Sequence, residues 1–165
     1  MTKISIVTPT FNEEENIQKL CDEIKNEMEK IGLDYEHIII DNASKDNTIK
    51  ILKEICKNNK KVKIIVNSKN YGHIRSPYYG ILQSTGDACI LMASDFQDPI
   101  NLITKYVDKW KNGTKIVLGE KITSDENSLT FFLRKSYYKL LNKISENKLS
   151  QNTTGSGIFD KSIIE

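Results

Sequence analysis

The sequence predicts a doubly wound α/β domain: a mostly parallel sheet with helices on both faces. Two observations carry this. Short apolar, β-branched runs alternate with stretches of helical spacing as far as about residue 120, and parallel neighbours in such a series need right-handed crossovers. Polar, carboxylate-bearing loops follow the first, second and fourth strands, at the sheet end where ligands bind in folds of this class.

Residues 3–9, Lys-Ile-Ser-Ile-Val-Thr-Pro, read as a short buried strand. Asn12 then reads as the N-cap of a helix from Glu13 onward, in which Ile17, Leu20, Ile24, Met28 and Ile31 keep helical spacing and which Gly32 ends. A second strand over residues 35–40 runs into Asp41-Asn-Ala-Ser44, and Asp46 or Ser44 caps a helix carrying Ile49, Leu52, Ile55 and Cys56. Residues 62–66 give a third strand, followed by the polar loop Asn67-Ser-Lys-Asn-Tyr-Gly72 and a helix-like stretch to Ser84. Gly86-Asp87 feeds a fourth strand over residues 88–92. Pro99 opens a helix to about Lys111, which Asn112-Gly113 stops before a strand over residues 115–119. A polar loop at 124–127 and a helix striped by Leu129, Leu133, Tyr137, Leu140, Leu141 and Ile144 come next. Asn152-Thr-Thr-Gly-Ser-Gly157 reads as a turn-rich loop before Ile158-Phe159, with no closing element after it.

At 165 residues, 38% hydrophobic and 28% charged, the chain is long enough for one core, and residues 1–165 are expected to be a single domain cut short at its C-terminal end. A formal charge of +2 with both signs interspersed argues against nucleic acid as a partner. Cys21, Cys56 and Cys89 lie in apolar-periodic segments without metal-ligand spacing, which favours buried thiols in the cytoplasm. Residues 1–20 lack the pattern of a signal peptide, and no run approaches the roughly 20 apolar residues of a membrane span.

The most informative stretch is Ile90-Leu-Met-Ala-Ser-Asp95-Phe-Gln97-Asp98-Pro99, an apolar run that stops at an acidic, proline-closed loop. Hard oxygen ligands at a strand end suit a divalent cation bound to phosphates. Asp-x-x-Asp-Pro equally makes a turn and helix N-cap. No Gly-x-Gly-x-x-Gly follows the first strand and no P-loop motif occurs, so phosphate binding here uses carboxylates and a metal in place of a glycine nest.

Taken together, Ser5-Ile-Val-Thr-Pro-Thr-Phe-Asn-Glu-Glu-Glu-Asn16, Ile40-Asp-Asn-Ala-Ser-Lys-Asp-Asn-Thr48, Asn70-Tyr-Gly-His73, Gly86-Asp87 and Asp95-Phe-Gln-Asp-Pro99 resemble the successive motifs of family 2 glycosyltransferases of the GT-A fold. The polyprenyl-phosphate branch, that of dolichol-phosphate mannosyltransferase and undecaprenyl-phosphate sugar transferases, is the most similar. The resemblance implies an inverting transferase using a nucleotide-diphosphate sugar, with Pro9, Thr10, Phe11, Asn12 and Glu13 bordering the nucleotide and Asp41 accepting from the base edge. Asn42, Ser44, Asn70 and Gly72 complete that nucleotide set. Asp95 is implied as a ligand of Mg²⁺ or Mn²⁺, with Gln97 completing the shell through its amide oxygen. Asp95, Asp98 and Arg75 form the expected catalytic set, Arg75 because a guanidinium is a bidentate fork for phosphate. A helix-surface ion pair is the alternative for Arg75, and a polar helix start the simpler reading of His73.

This chain departs from the family pattern at three places. Asn42 stands where an acidic pair usually continues, Ala93 where the family's Asp-x-Asp usually begins, and Thr154-Gly-Ser-Gly-Ile-Phe-Asp160 lacks an arginine that many members carry. A polyprenyl phosphate acceptor is ionised at neutral pH and needs no general base, whereas a glycan hydroxyl needs one. No Glu-Asp pair stands near the chain's end to supply that base, which favours the lipid phosphate. Two other readings are a nucleotide-sugar-binding module without catalysis and a receiver-type signalling domain, the latter echoed weakly by Gly119-Glu-Lys121. Arg134, Lys135, Lys139 and Lys143 flank aromatic residues on the last helix, a pattern that suits either an anionic membrane or packing on the domain. The family also implies a longer protein, placed at the inner face of the cell membrane.

Overall fold

A computed structural model of the chain describes residues 2–120 and 153–165. Its elements are β1 (Lys3–Thr10), α1 (Ile17–Ile31), β2 (Asp34–Asp41), α2 (Thr48–Asn58), β3 (Val62–Val66), α3 (Gly72–Leu82), β4 (Ala88–Leu91), α4 (Leu102–Lys111), β5 (Ile116–Glu120), β6 (Thr153–Asp160) and a closing turn of helix, α5 (Lys161–Ile164). The helix expected over residues 129–144 lies outside the described residues. Among the described residues no helix is long and apolar enough to cross a membrane.

The strands form one sheet in the order β3-β2-β1-β4-β6-β5. Pairings of β1 with β2, β1 with β4 and β2 with β3 are parallel, while β6 runs antiparallel to both β4 and β5. Parallel strands covered on both sides carry continuous apolar runs instead of alternation, and Ile38-Ile39-Ile40 is buried throughout. Period-two geometry splits these runs between two cores. Ile4, Ile6, Ile39 and Ile90 pack with Ile17, Leu20, Ile24 and Met28 of α1 and with Ile103, Tyr106 and Val107 of α4. On the opposite face Val7, Ile38 and Cys89 meet α3 and α5 through Ile81 and Ile164. Gly80 lets α3 lie close to the sheet, because a Cβ there would come within 2.7 Å of Val7 Cγ1.

Three expectations fail. The segment after Ile158-Phe159 does not lack a closing element, since Asp160 caps α5 by accepting from Ser162 N. Residues 153–157 are not a loop: they open β6, a strand in the interior of the sheet. Gly157 reflects close approach instead of a turn, since a Cβ there would lie 2.4 Å from the Val117 carbonyl of β5, whereas Gly155 serves a left-handed φ of 83° with open space around it. Asn12 does not cap α1, which starts at Ile17 after a turn in which the Glu13 carbonyl accepts from Asn16 N and Ile17 N. Asn12 instead has a φ of 56° and points its side chain at another loop.

Two buried ionisable groups sit on neighbouring positions of β2. Burial works to raise the Glu36 pKa, but hydrogen bonds from Lys63, Ser5 and Thr85 outweigh it and hold the carboxyl at about 2. Burial alone lowers the His37 pKa to about 3, and the neutral ring bonds Thr8 Oγ1 at 2.9 Å. Below pH 6.5 the unfolded chain binds a proton at His37 that the folded chain refuses, so stability present above 6.5 is lost as pH falls toward 3. Urea unfolding is therefore expected to show a loss of about 2 kcal/mol between pH 7 and pH 5. His37→Gln should flatten that slope, and an equal slope in the variant would remove His37 as its source.

Candidate functional site

The chain leaves β1 and β2 at the same end of the sheet, with Thr10 opposite Asp41 in the parallel register. The two following loops are then bonded to one another. Asn12 N donates to Ser44 Oγ at 2.8 Å, Lys45 N to Asn12 Oδ1 at 2.8 Å, Glu13 N to Thr48 Oγ1 at 2.8 Å, and Asn47 N to Glu14 Oε2 at 2.8 Å. Asp41 lies beneath this seam. It is fully buried, and its carboxylate accepts from Ser44 N at 3.0 Å and from Ser44 Oγ.

Beside the seam opens a cleft of about 390 Å³ at the ends of β1, β2 and β4. Thr10 lines it, and the buried hydroxyl of this residue has no hydrogen-bond partner among the described residues. Buried polar atoms are rarely left unpaired, and this one marks a place where a ligand's polar group would be satisfied. Asn42 forms part of the wall, but its amide is spent inward. Oδ1 accepts from Tyr71 N at 2.9 Å and Asn67 Nδ2 at 3.2 Å, while Nδ2 donates to Asn70 Oδ1 at 2.9 Å and the Gly72 carbonyl at 3.3 Å. All four bonds an amide can make are used, so Asn42 latches the 67–72 loop to the end of β2.

The loop after β4 supplies the other wall. Phe96 takes a left-handed φ of 57°, which a phenylalanine adopts only under constraint, and Lys19 Nζ lies 5.0 Å over its ring. This bend brings the exposed side chains of Asp95 and Gln97 together, with Gln97 Nε2 2.6 Å from Asp95 Oδ2. Turning the Gln97 amide over would present its oxygen beside that carboxylate, a hard-oxygen pair suited to Mg²⁺ or Mn²⁺. Among the described residues no group of three or more His, Cys, Asp and Glu side chains could hold a metal. These two side chains fit such an ion when a ligand's phosphate oxygens fill the rest of its shell.

Of the residues expected at the site, Pro9, Thr10, Phe11, Glu13, Asn42, Asn70, Gly72 and Asp95 do line this cleft. Asn12, Asp41 and Ser44 are held in the seam behind it. Asp98 is buried away from the lining, near Tyr106, whose pKa burial raises against the lowering hydrogen bond to Ser156, with the Asp98 charge adding to the rise. Arg75 lines a neighbouring cavity instead. Ser76 and Pro77 of α3 join the lining unannounced, and His73, Ala93 and Ser94, which the motifs contain but the expected site set leaves out, line it too. The order β3-β2-β1-β4 obliges the connection from β3 to β4 to pass over β2 and β1, which carries the first turns of α3 to the cleft.

The sequence profile described as Glycosyl transferase family 2 matches residues 5–165. An uncharacterized glycosyltransferase of Synechocystis is 32% identical over 163 residues, which are 98% of this chain and 51% of that protein. The bactoprenol glucosyl transferase of Shigella phage SfX is 32% identical over 166 residues, 99% of this chain and 54% of its own. The chain thus spans about half the length of the curated relatives it matches. Among solved structures, glucosyl-3-phosphoglycerate synthase from Mycobacterium tuberculosis in complex with Mn²⁺, uridine diphosphate and phosphoglyceric acid superposes with a TM-score of 0.68 at 19% identity, covering 98% of this chain and 57% of that one. The mannosyltransferase PcManGT from Pyrobaculum calidifontis, in complex with GDP-Man and Mn²⁺, gives 0.64 at 16% identity, covering 98% and 45%. These two likenesses carry the fold.

The latch at Asn42 has a direct test. Asn42→Asp keeps the shape but turns both donors into acceptors, leaving Asn70 Oδ1 and the Gly72 carbonyl facing a carboxylate. A loss of about 1–3 kcal/mol in urea unfolding is expected. Unchanged stability would show that the 67–72 loop is held by something else.

Proposed function

This chain belongs to glycosyl transferase family 2, and we propose that it moves a sugar from a nucleotide-diphosphate donor to a polyprenyl phosphate for cell-envelope glycans, at the inner face of the membrane. The observation that carries the donor half is the cleft itself, where Thr10, with its unpartnered hydroxyl, and the exposed Asp95 line one cavity at the strand ends. The acceptor half is supported by relatives named for a bactoprenol acceptor.

In this reading Pro9, Thr10, Phe11 and Glu13 receive the nucleoside, with Thr10 Oγ1 bonding a polar group of the base or ribose. Asp41, Ser44 and Asn12 hold the loop in place, and Asn42 keeps Asn70 and Gly72 in the wall. Asp95 and Gln97 would hold a divalent cation, which when bound neutralises charge on the diphosphate. Transfer is an in-line displacement: an acceptor phosphate oxygen forms a bond to the anomeric carbon while the bond from that carbon to the diphosphate oxygen breaks. The electron pair leaves on the nucleoside diphosphate and the configuration inverts. Because the attacking phosphate is already an anion, no side chain has to remove a proton. The enzyme's work is alignment and exclusion of water.

Asp95→Ala should abolish transfer from a sugar nucleotide while leaving the circular dichroism spectrum unchanged, since an exposed loop carboxylate adds little to the core. Full activity in the folded variant would end the assignment. With only two protein ligands, the chain should bind Mn²⁺ weakly alone and markedly better with UDP present, because linkage is reciprocal. Ala93→Asp should tighten Mn²⁺ binding without nucleotide by restoring a hard anion at the same strand end. Tight Mn²⁺ binding by the unmodified chain without UDP would point to a further carboxylate ligand.

A further inference from the structure

The wall that carries Asp95 has little backbone structure to fix its shape. Met92 N still donates to the Val7 carbonyl of β1, and the Pro99 carbonyl accepts from Leu102 N, but residues 93–98 between them make no backbone–backbone hydrogen bond among the described residues. The conformation of such a loop is set by its side chains. Here they alternate: Ser94 and Asp98 are buried, Phe96 between them is half-buried against the main core, and Asp95 and Gln97 face outward.

Phe96 is the strained member of the three. Its φ of 57° lies in the left-handed region, which is costly for a bulky side chain. A conformation of that kind persists only where the surroundings over-determine it. The surroundings in question are those of the ring, which packs on the core shared by α1 and α4 and lies under Lys19 Nζ, in the first turn of α1. Across this residue a small turn closes. Asp95 Oδ1 accepts from Gln97 N at 3.2 Å and Asp95 Oδ2 from Gln97 Nε2 at 2.6 Å, so both carboxylate oxygens are oriented by the residue on the far side of the bend.

We infer that Phe96 is a positioning residue for the divalent cation: its ring, seated against α1, holds the left-handed bend that keeps Asp95 and Gln97 side by side. The inference rests on the proposed reading of those two side chains as cation ligands and adds what fixes their geometry. A site with only two protein ligands gains most from having them in place before the ion arrives, because little ordering is then left to do on binding. The strain at Phe96 is the mark of that arrangement. Helix α1 supplies no residue to the lining of the cleft, and through this one ring it nevertheless bears on the cation.

The test is a titration of Mn²⁺ into the UDP-saturated chain, with the free ion read by electron paramagnetic resonance, for the parent, Phe96→Gly and Phe96→Leu. Glycine admits the left-handed φ but has no ring to select it, whereas leucine keeps the apolar bulk. Phe96→Gly should weaken Mn²⁺ binding at least tenfold, and Phe96→Leu should stay within threefold of the parent. Calorimetry with UDP and no metal should give equal affinities for all three, because the loop of Pro9, Thr10 and Phe11 is held by the seam and not by Phe96. A purely structural role would lower the urea midpoint without separating the two affinities in this way. Should Phe96→Gly not fold, Phe96→Asn carries the same expectation, since asparagine also tolerates a left-handed φ. Mn²⁺ affinity in the folded variant within threefold of the parent, or an equal loss of metal-free UDP affinity, would overturn the inference. A parent that binds UDP but no Mn²⁺ brings down the cation reading and this inference with it. A parent that binds both, with Phe96→Gly unchanged, loses this inference alone.

Discussion

The seam between the loops after β1 and β2 is the constraint on which the rest of the site depends. Neither loop has regular structure to satisfy its own backbone, and each solves this with the other's side chains: Ser44 and Thr48 accept from the amides of Asn12 and Glu13, while Asn12 and Glu14 accept from Lys45 and Asn47. Hydrogen bonds of this kind are modest one at a time and costly to leave unmade. Several of them acting together define one loop conformation, and Asn12 and Ala43 are held at positive φ within it. The cleft can be open to solvent on one side because its back is fixed in this way.

At the opposite end of the sheet a different device fixes the strands. Glu36 gathers Ser5 from β1, Lys63 from β3 and Thr85 from the turn before β4, so that one buried carboxylate ties together the beginnings of neighbouring strands. A buried charge is tolerated only when its lone pairs are filled, as they are here. The division of labour is clear: the end of the sheet without a ligand site is closed by a saturated polar cluster, and the ligand end keeps Thr10 unpaired and Asp95 exposed.

Much of this was legible in the sequence because it is local. Apolar periodicity marked α1, α2 and α4, β-branched runs marked β1 to β4, and the polar strand ends marked Pro9, Phe11, Glu13 and Asp95. What was not legible depends on tertiary neighbours. The Thr-Thr-Gly-Ser-Gly run carries every local signal of a turn, yet Gly157 is there because the Val117 carbonyl passes too close for a side chain. Asn12 looks like a helix cap until the second loop claims its side chain. Asp41 and Asn42 are adjacent, and the pattern alone offered both to a ligand, but strand alternation turns one beneath the seam and engages the other in the 67–72 loop. His73 and Ser76 reach the cleft only through the order of the strands, which no local window contains.

Asn42 and Ala93 share an electrostatic consequence. At both, the family pattern has a carboxylate and this chain has a neutral side chain, and both line the cleft. A diphosphate brought there is itself strongly negative. At an effective dielectric of about 20, each carboxylate roughly 6 Å from a phosphate charge would cost about 3 kcal/mol of repulsion unless a cation stood between them. In the proposed reading, removing two such anions lowers what a metal would have to neutralise, and the change at Ala93 also removes a metal ligand. Asn42 then takes up a structural duty that a carboxylate has no N–H to perform, donating to Asn70 and Gly72. The two substitutions therefore fit the proposed design, in which Asp95 and Gln97 would meet a cation arriving with the diphosphate while the opposite wall is held by amide bonds instead of charge.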